Sequence, residues 1–189
     1  MDSMITSNSV VKGTGGFLQP EKIVNEFGIM NGMSIADFGS GAGYFTIILG
    51  RMIGESGKVY ALDVQETALD SVRIKAKASG VENIETVRAD LEVARSSGLA
   101  DDSQDMALMA NILFQSDKKS EIIREAKRIL KSSGRLILID WKLGTGGFGP
   151  PDERRTDEAS MRNLAEKEGF IFEKSIDAGQ FHYGISFKK

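Results

Sequence analysis

Between an apolar run, Met33 to Phe38, and an amphipathic one, Tyr44 to Ile53, this chain places three glycines in five residues, Gly39-Ser40-Gly41-Ala42-Gly43. So tight a turn needs backbone conformations and close approaches that side chains obstruct. In open α/β sheets such a turn lies at the carboxyl ends of the strands, where ligands bind. Phe45, Ile48, Leu49 and Met52 share one face of the second run, so the segment predicts strand, loop and helix. The unit then recurs. Lys58 to Leu62 reads as a strand, Gln65 to Ser79 as a helix with Ala68, Leu69, Val72 and Ala76 inward, and Asn83 to Arg88 as a third strand. Asp105 to Ala110 makes a fourth. Asp117 to Lys131 is a helix with Ile122, Ile123, Ala126, Ile129 and Leu130 on one side, and Gly134 admits a fifth strand, Arg135 to Asp140. Strands this continuously apolar need cover on both faces, which crossover helices give a parallel sheet. The class is α/β, with a Rossmann-like, doubly wound, mostly parallel sheet.

The ends of the chain frame this core. Residues 1–16 are polar and glycine-rich and read as a flexible arm; the fold starts near Phe17, with Pro20 opening a short helix that carries Ile23, Val24 and Phe27 and stops at Gly28. After Trp141 the glycines and prolines of 142–151 make a long loop, a candidate lid. Thr156 is placed to cap a helix with Met161, Leu164 and Ala165 as its stripe. Phe170 to Ala178 and Phe181 to Phe187 follow as an antiparallel hairpin. No repeat and no second core is visible, so residues 17–189 read as a single domain.

Composition narrows the chemistry. Cysteine is absent and His182 is the only histidine, which excludes thiol catalysis, zinc–thiolate sites and two-histidine metal sites, and no metal is expected. Twenty-four lysines and arginines against 27 aspartates and glutamates leave a formal charge of −3, no electrostatic basis for avid nucleic-acid binding. The start lacks the pattern of a secretory signal and no apolar run approaches the roughly 20 residues of a membrane span, so a cytoplasmic location is expected.

Two ligand classes fit a glycine turn between strand and helix. A dinucleotide fold wants G-x-G-x-x-G, with the third glycine letting helix pack on strand; here that place is Tyr44. Asp37 would also set a carboxylate near a diphosphate, whereas it suits a ligand carrying positive charge. Asp63, at the end of the second strand, is placed to accept from both hydroxyls of an adenosine ribose, which both classes share. Asp90, just past the third strand, is placed to accept from an adenine amine while Leu91 covers the ring.

With these residues in this order, the chain resembles the class I S-adenosylmethionine-dependent methyltransferases, in particular small members similar to the quinone C-methyltransferases. The resemblance runs from about Phe17 to the final strand and includes the segments 98–115 and 130–139. It implies a seven-stranded sheet ordered 3-2-1-4-5-7-6 with the last strand antiparallel. It implies S-adenosylmethionine as cofactor and S-adenosylhomocysteine as product. Asp37, Gly39, Ser40, Gly41 and Gly43 would hold the methionine portion, Asp63 with Val64 the ribose, Asp90 and Leu91 the adenine, and Asn111 would lie near the methionine end. Apart from the resemblance, Phe17 and Gln19 are placed either to close over the cofactor from the arm or to staple the first helix. Ser40 stands where many relatives have cysteine, and Phe114-Gln115 where quinone-type members often have histidine, so no histidine base carries over. Arsenic methyltransferases depend on cysteines and are excluded.

A small-molecule acceptor is the expected partner, with protein or RNA acceptors left open and no oligomeric state implied. His182, Trp141 and Asp140 are the candidate catalytic residues: one titrates near neutrality and two end the fifth strand on the ligand side. Arg154 and Arg155 suit either an anionic acceptor or a solvated charged loop. A nicotinamide-dependent oxidoreductase and a non-catalytic adenosyl-binding module are the competing functions.

Overall fold

The computed structural model describes residues 18–145 and 147–189; the arm and Phe17 lie outside them. The strands are β1 (Ser34–Phe38), β2 (Lys58–Asp63), β3 (Ile84–Arg88), β4 (Gln104–Ala110), β5 (Leu130–Trp141), β6 (Ile171–Ile176) and β7 (His182–Lys188). They form one sheet ordered β3-β2-β1-β4-β5-β7-β6. The five neighbours from β3 to β5 pair in parallel, and β7 runs antiparallel to both β5 and β6. The expected order is therefore observed.

Five helices cover the sheet: α1 (Pro20–Ile23), α2 (Tyr44–Ile53), α3 (Glu66–Ala78), α4 (Lys119–Ile129) and α5 (Glu158–Lys167). Alternation along the strands divides the core. Ile35, Val59, Met106, Leu108, Ile137 and Ile139 pack toward α1 and α2, whose Ile23, Phe45, Leu49 and Ile53 are buried among them. Ala36, Phe38, Leu62, Ala107, Met109, Leu136 and Leu138 face α4 and α5 through Ile122, Ile123, Ala126, Ile129, Met161 and Ala165. Gly43 lets α2 approach α3, since a Cβ there would come within 2.9 Å of the Val72 side chain.

The structure shifts three features of the sequence reading. β5 begins at Leu130, where α4 ends, because Leu130 pairs with Gln104 before the register shifts to Met106↔Arg135. Asp157, not Thr156, caps α5: its Oδ1 accepts from the Ser160 amide at 2.9 Å, while the Thr156 carbonyl accepts from the Tyr183 hydroxyl at 2.8 Å. Arg155 is buried rather than solvated. Its guanidinium donates to the carbonyls of Lys142, Phe148 and Pro150 and to Thr145 Oγ1, so it acts as an internal staple of the loop after β5.

Glu125 of α4 fixes the segment before β4. Burial pushes its carboxyl up, but Arg128, Ser97 and the Arg95 amide outweigh that and hold it at about 2. No helix among the described residues is long and apolar enough to cross a membrane.

Candidate active site

The turn from β1 to α2 holds Gly39, Gly41 and Gly43 at φ +69°, +50° and +79°, values that L side chains rarely adopt. At Gly39 a Cβ would also lie 2.6 Å from Ile112 Cδ1. The turn is bonded from within. The Gly39 and Ser40 amides donate to the Leu62 carbonyl at 2.8 and 2.9 Å, and the Gly43 amide donates to the Ser40 carbonyl at 2.9 Å. The Gly41 amide donates to Asp63 Oδ2, also at 2.9 Å. The second Asp63 oxygen accepts from the Gln65 amide at 2.9 Å, so this carboxylate is fixed by backbone on both sides of β2's end.

Asp37 is buried on β1, with Thr46 Oγ1 of α2 donating to its Oδ2 at 2.6 Å. Burial pushes its carboxyl up to about 6; Thr46 opposes that and the neighbouring Asp63 adds to it. A positive group beside it would favour the charged form.

These groups border a cavity of about 690 Å³ at the carboxyl edge of the sheet. Of the residues singled out from the sequence, Asp37, Gly39, Ser40, Gly41, Asp63, Val64, Asp90, Leu91 and Asn111 line it. Gly43 does not; it lies behind the wall, against Val72. Glu92, Gln65, Ile112, Gln115 and Ser116 also line it, and sequence reasoning passed over them as binding residues. Glu92 accepts from Ser116 Oγ at 2.7 Å, a link across 24 residues that no local pattern announces.

Two properties of the wall define what it can hold. First, its described residues include four carboxylates, Asp37, Asp63, Asp90 and Glu92, and no lysine, arginine or histidine. Second, Ser40 Oγ and Asn111 Oδ1 are buried in it without a hydrogen-bond partner. Asn111 is held there at φ +57°, a conformation tolerated by asparagine, with its amide donating to the Ile139 carbonyl at 2.9 Å. Buried polar atoms are ordinarily satisfied, so these two are free to bond a group entering the cavity. The set suits adenosine hydroxyls and positive charge, and repels a diphosphate.

The catalytic candidates lie elsewhere. Asp140, Trp141 and His182 end β5 and begin β7, and none of them lines the cavity. The Trp141 and His182 rings stand 4.1 Å apart between centroids, and Gly149 sits so close to the indole that a Cβ there would be 2.5 Å from it. Asp140 is buried, and that burial pushes its carboxyl up to about 6. The loop 142–151, read from the sequence as a candidate lid, contributes nothing to the described wall, whereas Leu18, next to the arm, does.

Residues 29–181 match the family model described as a methyltransferase domain. The chain is 31% identical to a SAM-dependent methyltransferase from Aquifex aeolicus, whose crystal structure it matches with a TM-score of 0.82 over 90% of this chain and 89% of that one. It is 26% identical over 174 residues to demethylmenaquinone methyltransferase of Lactococcus lactis, covering 92% of this chain and 66% of the relative. It is 30% identical over 157 residues to the ubiquinone/menaquinone biosynthesis C-methyltransferase UbiE of Cronobacter sakazakii, covering 82% and 59%. The chain thus spans about three-fifths to two-thirds of the length of those two curated relatives. It belongs to the S-adenosylmethionine-dependent methyltransferase family.

Proposed function

We propose that the protein transfers a methyl group from S-adenosylmethionine to a small-molecule acceptor. The charge of the cavity wall supports this reading above all. A diphosphate would meet four carboxylates and a turn whose amides at 39, 40, 41 and 43 are already bonded within the protein. A sulfonium nucleoside with an ammonium is attracted by the same groups.

In this reading Asn111 Oδ1 and Asp37 accept from the ammonium, and Ser40 Oγ donates to the carboxylate of the methionine end. Asp63 keeps its backbone bonds and uses its remaining lone pairs for the ribose hydroxyls. Asp90 accepts from the adenine amine, with Val64 and Leu91 flanking the ring. Gly39 and Gly41 give the close backbone approach, and Gly43 sets α2 behind it. Bound S-adenosylmethionine supplies an electrophilic methyl carbon, so the protein needs no nucleophile of its own. Its contribution is alignment of the acceptor and exclusion of water. No proton is routed through His182, Trp141 or Asp140, which stand off the cavity. The small-molecule acceptor is supported by the names of the quinone-biosynthesis relatives.

Calorimetry with S-adenosylmethionine and S-adenosylhomocysteine tests the cofactor, with micromolar binding expected and no response to NADH. Heat from NADH and none from either sulfur nucleoside would overturn the assignment. A labelled methyl donor with a panel of small acceptors, reduced demethylmenaquinone among them, tests transfer; binding without transfer to any acceptor would favour a non-catalytic adenosyl-binding module.

A further inference from the structure

Three consecutive residues of the glycine turn are held from one direction. Gly41 is bonded by Asp63 at the end of β2, Gly43 is packed by Val72 of α3, and between them the Ala42 carbonyl accepts from Lys75 Nζ of α3 at 2.7 Å. The same ammonium stands 4.1 Å from the centre of the Tyr44 ring. Ala42 and Tyr44 both line the cavity, and Lys75 does not. Lys75 is partly buried, and these two groups are where its charge is spent.

We infer that Lys75 is a positioning residue for the cofactor: it fixes the turn and the Tyr44 wall in the form that receives the methionine end. The inference rests on the cofactor reading above and goes beyond it, because Lys75 stands outside the cavity wall. A carbonyl at the crest of a left-handed glycine turn has few neighbours to restrain it. An ammonium reaching across 33 residues supplies that restraint and aims the first residue of α2 at the same time. Tyr44 occupies the place where a dinucleotide fold would need glycine; Lys75 gives the ring an electrostatic seat through a cation–π contact. Without the ammonium the turn samples other conformations, and affinity falls by the fraction of molecules still competent to bind.

The test is calorimetric titration of S-adenosylhomocysteine into the full chain and its Lys75→Met, Lys75→Arg and Tyr44→Leu variants, with thermal melting of each. Wild-type titration comes first: no binding there overturns the cofactor reading and this inference with it, whereas wild-type binding with unaffected variants overturns this inference alone. Given that binding, Lys75→Met is expected to raise Kd about five- to tenfold with the melting temperature of the free protein nearly unchanged. Lys75→Arg restores most of the affinity, and Tyr44→Leu weakens binding by less than Lys75→Met. In turnover, KM for S-adenosylmethionine rises while kcat holds. A Kd for Lys75→Met within twofold of wild type overturns the inference. So does a loss of affinity that merely tracks a loss of melting temperature across the variants. Should Lys75→Met not fold, Tyr44→Leu decides: unchanged affinity in that variant overturns the role of the pair.

Discussion

Asp37 holds a carboxylate in a place that disfavours its charge, and a cationic ligand reverses that preference. Its carboxyl is pushed up to about 6 by burial, so the free protein takes up a proton there as pH falls through that value. Binding of an ammonium favours the ionised form and must expel the proton below pH 6. Affinity for S-adenosylmethionine is therefore expected to be flat from pH 8 to about 6.5 and then to fall by at most about tenfold per pH unit. Asp37→Asn flattens that profile and lowers affinity at pH 7.5 by about 1.5–3 kcal/mol, the range for hydrogen bonds to a charged group. Titrations at five pH values check both, and a wild-type profile flat down to pH 5 refutes the assignment. Much of this wall was legible in the sequence, because Asp37, Asp63 and Asp90 stand at fixed offsets from strand ends. Thr46 was not. It is a polar residue on the buried side of α2, and only the fold shows that it serves Asp37.

At the scale of elements, periodicity located the five α-helices and seven strands of the described residues but not the short 3-10 turns Leu113–Gln115 and Asp152–Arg154, and the boundary errors fall where a distant partner decides. Thr156 has the chemistry of a cap, but the Tyr183 hydroxyl claims its carbonyl, so the helix starts one residue later under Asp157. Arg155 has no local signal for burial, since its partners are the carbonyls of a loop that folds around it. Replacing Asp157 by alanine removes the bond to the Ser160 amide and is expected to lower stability. Urea unfolding measures that loss. Affinity for S-adenosylhomocysteine should not change, because α5 covers the far side of the sheet from Asp37 and Thr46.

Across the whole molecule, buried acids pull stability in two directions. Asp37 and Asp140 have folded values near 6, above the usual carboxylate range, so the native state binds more protons than the unfolded state between about pH 4 and 6. Their ionisation lowers stability as pH rises through 6. Glu125 and Glu173 are held at about 2. Glu125 is drawn down by Arg128, Ser97 and the Arg95 amide against its burial; Glu173 is drawn down first by Arg135. Their contribution is present above about pH 4.5 and is lost as pH falls toward 2. The urea midpoint of the free protein is therefore expected to be at least as high at pH 5 as at pH 7.5, and to drop below pH 4. Saturating S-adenosylmethionine should reverse the first of these differences, since it binds the ionised form of Asp37. A midpoint that declines steadily from pH 7.5 to 5 without ligand would contradict the burial of these two acids.

The placement of β7 between β5 and β6 has a consequence for biosynthesis. β6 leaves the ribosome first, yet its one sheet neighbour is β7, and β5 keeps an open edge until that strand arrives. For that interval the nascent chain shows unpaired backbone along Arg135 to Trp141, the kind of edge that invites association between chains.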